Sequence, residues 1–286
     1  MKKAVSILLA GILTASGISS ASAAVVYLSS TRQIDLGGVT SEMYQVLKYD
    51  TFSGEASLFF DEFDPLNVLT GRDKQIDALH VLDEDNIILS TTRDVRFSEE
   101  EDEPWFKDGD VFRYTFSTGT AVLLFSQEHF TDAREDINAL QYIDEDTLLL
   151  SVRGNAELGG LSFRDGDVVR YTLSTDTAEL FFNEDSFLGN EDIDAFSMID
   201  EQNILLSTQA SATLGDLVFR DGDIIQYNLI TGQASLFLSE DLISSPVDVD
   251  IDAFHFVAGT PVIPEPATFL LFLFGLFPLF RCRCRG

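Results

Sequence analysis

The sequence is poor in cysteine: its two, Cys282 and Cys284, stand beside the C-terminus, so the rest of the chain has no disulfide framework. Basic residues are also scarce, with 18 Lys and Arg against 48 Asp and Glu for a formal charge of −30. Nucleic acid and anionic lipid, which need a basic footprint, are thereby excluded as partners. Three histidines and one tryptophan leave little material for a histidine-rich metal centre or an aromatic sugar platform. Long apolar runs are missing from the interior and occur only near the two ends.

At the N-terminus Lys2 and Lys3 precede the apolar stretch Ala4 to Leu13, and small residues follow to Ala21-Ser22-Ala23. This order predicts a signal peptide over 1–23, cleaved after Ala23 and handled by the general secretion machinery. At the other end Pro264-Glu265-Pro266 is followed by the apolar run 267–280 and by Arg281, Arg283 and Arg285. The segment 261–286 resembles the PEP-CTERM sorting signal, in which a Pro-Glu-Pro motif, one membrane helix and a basic terminus follow in that order. The resemblance implies a transient inner-membrane tether in a Gram-negative bacterium, processing by an exosortase, and release to the cell surface or extracellular matrix. Terminal arginines would keep that end cytoplasmic. The apolar run is shorter than the roughly 20 residues a permanent span requires, and Pro278 interrupts it.

Between these ends, residues 24–263 keep every acidic residue but Glu265, while Lys2, Lys3, Arg281, Arg283 and Arg285 are lost from the basic set; the formal charge becomes −34. This middle is repetitive. Ile76-Asp77-Ala78-Leu79, Ile137-Asn138-Ala139-Leu140, Ile193-Asp194-Ala195-Phe196 and Ile251-Asp252-Ala253-Phe254 recur at near-regular spacing. Acidic turns (Asp83-Glu84-Asp85-Asn86, Asp144-Glu145-Asp146, Asp200-Glu201-Gln202-Asn203) lead into apolar strands at Ile87 to Ser90, Leu148 to Ser151 and Ile204 to Ser207, with Val25 to Ser29 as the fourth counterpart. Next comes Phe-(Lys/Arg)-Asp-Gly-Asp-(Val/Ile)-x-x-Tyr, at Phe106, Phe163 and Phe219, then a turn and a last strand. The first copy has Met43-Tyr44-Gln45 in place of Asp-Gly-Asp.

Each unit thus offers four strands, numbered from the Ile-Asp-Ala segment outward. Second strands such as Leu148-Leu149-Leu150 are apolar on both alternating faces, which calls for a sheet covered on both sides. Face-to-face packing of four-stranded sheets around an axis supplies that cover. The first copy lacks a first strand and Ile251 to Val257 is surplus, so pairing the chain ends completes sixteen strands in four blades and removes an open edge. The expected fold is all-β: a four-bladed β-propeller over 24–260, with an open β solenoid or two packed sheets as alternatives. The Asp-Ala strand starts resemble those of hemopexin-like four-bladed propellers. That resemblance implies an ion-binding tunnel lined by Asp77, Asp194 and Asp252, with Asn138 departing from the pattern at the second position.

Each candidate set has two readings. The axial positions Asp77, Asn138, Asp194 and Asp252 either hold a cation, with calcium the natural choice for an acidic exported domain, or bond to backbone N–H groups. The loop aspartates Asp108, Asp110, Asp165, Asp167, Asp221 and Asp223 either ligate calcium or form turns in which Asp-Gly enters positive φ. His80 and His255 occupy equivalent places, filled elsewhere by Gln141 and Ser197; a transition-metal pair and an ordinary half-buried strand position are the alternatives. Trp105, beside Glu99 to Glu103, is either a sugar-stacking residue or a packed one. No nucleophile, base and oxyanion constellation stands out. The expected function is that of an exported, non-enzymatic binding or structural protein of the cell surface or matrix, with extracellular polysaccharide or a surface protein as partner. A secreted enzyme acting on extracellular polysaccharide through a carboxylate pair is the alternative.

Overall fold

The computed structural model describes residues 22–43, 45–61, 76–97, 105–243 and 249–261. Of the sorting signals expected at 1–23 and 261–286, all but Ser22, Ala23 and Pro261, which lie in strands, fall outside them, as does the glutamate run Glu99 to Glu103. No helix among the described residues is long and apolar enough to cross a membrane. Residues 23–259 form one compact unit.

That unit is all-β and holds four four-stranded antiparallel sheets. Blade 2 runs Ile76–Val81, Asn86–Thr91, Val111–Thr115, Thr120–Phe125 from the axis outward. Blade 3 runs Ile137–Asp144, Thr147–Val152, Val168–Thr172, Thr177–Phe182, and blade 4 runs Ile193–Met198, Asn203–Thr208, Ile224–Asn228, Ala234–Leu238. Blade 1 is composite: the C-terminal strand Ile251–Pro261 lies beside Ser22–Ser30, followed by Val46–Asp50 and Ala56–Phe60. The surplus strand therefore fills the vacant first position, and the propeller closes on its own chain ends.

Apolar residues on both faces of each second strand explain the packing. Leu148 and Leu150 pack with Ala78, Ile88 and Phe125 of blade 2, whereas Leu149 points the other way into a cluster with Ile204, Leu206 and Ile225 of blade 4. Two further clusters, one joining Tyr27 and Val46 to Ile87 and Leu89, the other joining Leu205 and Ile224 to Val26, Leu28 and Phe254, complete the circuit. Every core is thus shared between neighbouring blades, and no blade has a core of its own. Fully burying a side chain of this size contributes about 1.5–3 kcal/mol, so the blades are stable only as a set.

Between second and third strands the chain makes a feature that the repeat alone did not reveal. Small hairpins pair Ile34–Leu36 with Val39–Ser41, Ala156–Leu158 with Leu161–Phe163, and Ala212–Leu214 with Leu217–Phe219; at this place in blade 2 the described residues include the bridge of Val95 to Phe106. The expected acidic hairpin turns are present: Asp83 accepts from Asp85 N and the Asn86 amide, and Asp200 accepts from Gln202 N and the Asn203 amide. These donors hold both carboxyls below the usual carboxylate range.

The Asp-Gly-Asp loops are built differently from expectation. Their glycines Gly109, Gly166 and Gly222 do not adopt positive φ. Glycine is needed because the loop lies directly on the entry to the next blade. An added Cβ would collide with the carbonyl of Glu135 at Gly109, with that of Glu191 at Gly166, and would lie 2.6 Å from Val249 O at Gly222. Gly166→Ala is therefore expected to cost about 1–3 kcal/mol through overpacking. Chemical denaturation of that variant checks this, and an unchanged midpoint would mean that the loop is not seated on its neighbour.

Candidate functional site at the propeller axis

The first strands supply the site. All six residues of Ile76–Val81 are buried, because the strand faces a neighbour on either side and the axis as well. A β-bulge at the entrance of blades 2, 3 and 4 makes this possible. Ile76 pairs with Thr91 and Ala78 with Ser90, leaving Asp77 as the extra residue; Asn138 and Asp194 are the extra residues at the same point of blades 3 and 4. Bulges re-aim side chains, and here they bury an aspartate or asparagine beside two apolar residues. Asp77, Asn138 and Asp194 are 3%, 6% and 4% exposed, and Asp252 is half-buried.

These positions do not simply face one another across the axis. Each reaches the residue just before the isoleucine of the next blade. Asn138 Nδ2 donates to Asp192 Oδ1 at 3.3 Å. At the two equivalent steps the Asp77 carboxyl lies within hydrogen-bonding reach of Asp136, and that of Asp194 within reach of Asp250. Asp136, Asp192 and Asp250 were not singled out from the sequence, although Asp-Ile-(Asp/Asn)-Ala recurs three times and was the available signal. Burial, followed by the neighbouring carboxylates, pushes Asp77 and Asp194 well up, and Asp192 and Asp252 up to about 7. Exposed Arg153 acts against this on Asp136, Asp192 and Asp252.

The loop aspartates divide by position. The second of each pair has both oxygens engaged by backbone N–H groups. Asp110 accepts from Lys107 N at 2.7 Å and Gln127 N at 2.8 Å, Asp167 from Arg164 N and Glu184 N, and Asp223 from Arg220 N and Glu240 N. Ser90 and Ser151 then clamp the loops by donating to the carbonyls of both aspartates in each loop, Asp108 and Asp110 or Asp165 and Asp167. Ser29, whose copy lacks Asp-Gly-Asp, has no such partner; Gln45 Oε1 accepts from Glu42 N in the place of the missing aspartate. Two of the first aspartates belong electrically to the axial group, Asp108 acting on Asp136 and Asp165 on Asp192. The axial and loop sets are thus partly one cluster.

One layer along the axis, Gln141 Oε1 accepts from Met198 N at 3.2 Å, Ser197 Oγ from Phe256 N at 3.1 Å, and His255 Nδ1 from Val81 N at 3.2 Å. Each is a side chain of one blade taking a backbone N–H of the next. His80 breaks the pattern: its Nδ1 has no partner, and its ring lies 3.9 Å from that of His255 and 5.9 Å from Tyr142. Burial lowers His80 to about 4 and His255 well below its ordinary value. Because Nδ1 of neutral His255 accepts, its proton is on Nε2, and no lone pair remains for a metal without breaking the bond to Val81. His129 is bonded instead to the Tyr171 hydroxyl at 2.9 Å, and Trp105 is half-exposed with Arg96 over its ring at 5.1 Å.

A calcium ion needs six to eight converging oxygens. Among the described residues no three His, Cys, Asp or Glu side chains are grouped so as to hold a metal ion. The loop aspartates Asp110, Asp167 and Asp223 would have to give up bonds from backbone N–H groups to ligate calcium.

Fold and site together define a four-bladed β-propeller whose buried polar residues tie each blade to the next. No family model matches the chain, and no curated protein matches it. Among solved structures it is similar to the extracellular domain of BT4673 from B. thetaiotaomicron, with 13% identity over 77% of this chain and a TM-score of 0.32. It spans only 28% of the length of that chain. The hemopexin fold protein CP4 from cow pea (11% identity, 65% of this chain and 82% of that one, TM-score 0.35) and a chain of the nidogen/laminin complex (7%, 83% and 100%, TM-score 0.38) are also similar.

Proposed function

We propose that this chain is an exported, non-catalytic protein of the cell surface or extracellular matrix, serving as a binding or structural module. One observation carries the reading: the carboxyl and amide groups of the axis and loops are engaged with one another and with backbone in corresponding ways in blades 2, 3 and 4, His80 being the exception among the buried polar residues of those blades. A catalytic site normally makes one copy depart from the others in its buried acids and bases. The reading is further supported by the acidic composition and by the two terminal sequence signals. Extracellular polysaccharide or a surface protein is the partner class. Incubating residues 24–263 with matrix polysaccharide should retain the intact polymer, and release of shortened saccharides would overturn the non-catalytic reading.

The sorting half of the proposal rests on Pro264-Glu265-Pro266, the apolar run 267–280 and the three arginines. An exosortase would remove the tail after translocation. Intact mass of the exported protein is expected to show loss of residues 1–23 and of the apolar tail. A secreted form that keeps Phe269 to Arg285 would sink exosortase processing.

A further inference from the structure

We infer that Asp77 and Asp194 are neutral carboxylic acids in the folded protein, each donating a hydrogen bond to the aspartate that opens the next blade, so that protons rather than a cation close the axial ring. The argument begins with Asn138. At that step the ring is made by an amide N–H donating to Asp192. The bulges put Asp77 and Asp194 at the same register position, and their partners Asp136 and Asp250 hold the same place as Asp192, one residue before the isoleucine.

A carboxylate has no hydrogen to give. With both groups ionised, the Asp77 oxygens are buried and have no donor, and one oxygen each of Asp136 and Asp194 is in the same condition. Two buried carboxylates side by side would leave unpaired charge, which costs far more than a shared proton. One proton on Asp77 removes the repulsion and makes the bond that Asn138 makes with its amide. The direction is the same at all three steps, from the bulge residue of one blade to the entry residue of the next. The surrounding charges favour this state. Asp77 faces Asp136 and Asp252; Asp194 faces Asp192, Asp250 and Asp252; Asp108 lies by Asp136, and Asp165 by Asp192. Arg153 acts on Asp136, Asp192 and Asp252. The ring is therefore a pH-sensitive clasp: loss of a proton turns an interblade bond into a repulsion.

The test is substitution by the residue that one copy already carries. In the full mature domain, Asp77→Asn and Asp194→Asn should each raise the melting temperature at pH 8 by about 3 °C or more and leave it little changed at pH 5. Asn138→Asp should do the reverse, creating a third acid pair and lowering the midpoint at pH 8. The infrared carbonyl band of protonated carboxylic acid present at pH 7 should diminish in each Asn variant. A melting point at pH 8 that is unchanged or lower in both Asn variants overturns the inference. So does a calcium-specific stabilisation of the parent, beyond that of sodium at equal ionic strength, that either Asn variant abolishes.

Discussion

A chain ending at Asp250 is expected to lose cooperative folding altogether, whereas one ending at Ile263 should melt like the mature parent. The first deletion removes Ile251, Ala253, Phe254 and His255, all buried. Ile251 and Phe254 belong to the core between blades 4 and 1, and Ala253 to that between blades 1 and 2. Deleting a buried isoleucine costs about 2–5 kcal/mol and a phenylalanine about 3–5, a sum comparable with the about 5–15 kcal/mol that holds a domain together. The cut also strips Ser22–Ser30 of its neighbour and leaves an open edge on which chains aggregate. Circular dichroism and light scattering on the two truncations check this. A sharp transition near the parent's in the Asp250 chain would mean that the ends are not structural partners.

In chelated buffer, the mature domain is expected to melt higher at pH 5.5 than at pH 8.5, by about 10 °C, the reverse of a protein held by carboxylate ion pairs. The sign follows from the direction of each shift. Asp192 and Asp252 are raised to about 7, and Asp77 and Asp194 are raised well above the carboxylate range. A raised group contributes stability that is whole below its unfolded value and lost as pH climbs through its folded one. While the folded chain keeps a proton that the unfolded chain has released, each such group removes about 1.4 kcal/mol per pH unit. His80, lowered to about 4, and His255, also lowered, act oppositely: their contribution is whole above about 6.5 and lost as pH falls. Above pH 6.5 the carboxyls therefore act alone, and calorimetry there gives the clean reading. A flat or rising profile from pH 6.5 to 8.5 would show that the buried acids are ionised in the folded chain.

The blade and its number were legible in the sequence because they rest on local regularities. The Ile-(Asp/Asn)-Ala starts, the apolar Leu148-Leu149-Leu150 type of second strand and the surplus Ile251 to Val257 each carry their message in residue type and spacing. Alternation forces a strand, two apolar faces force cover on both sides, and an unpaired strand at one end forces a partner at the other. The small hairpins were less visible, since their three-residue strands carry too little periodicity, although Gly37-Gly38 and Gly159-Gly160 marked two of their turns.

Only the tertiary structure decided what the aspartates do. In sequence Asp77 and Asp136 are far apart, and nothing local says that a bulge turns the first onto the entry of the next blade, or that Asp110, Asp167 and Asp223 each take two backbone N–H groups, one on each carboxyl oxygen. Glycine in Asp-Gly-Asp points to positive φ when read locally, yet Gly109 and Gly166 are required by the carbonyls of Glu135 and Glu191 on the neighbouring blade. The physical reason is common to all three. Strand formation is set by the period of a short segment, but the charge state and partner of a polar group depend on which other chain segments exclude water from it, and in a closed ring those segments come from the next blade.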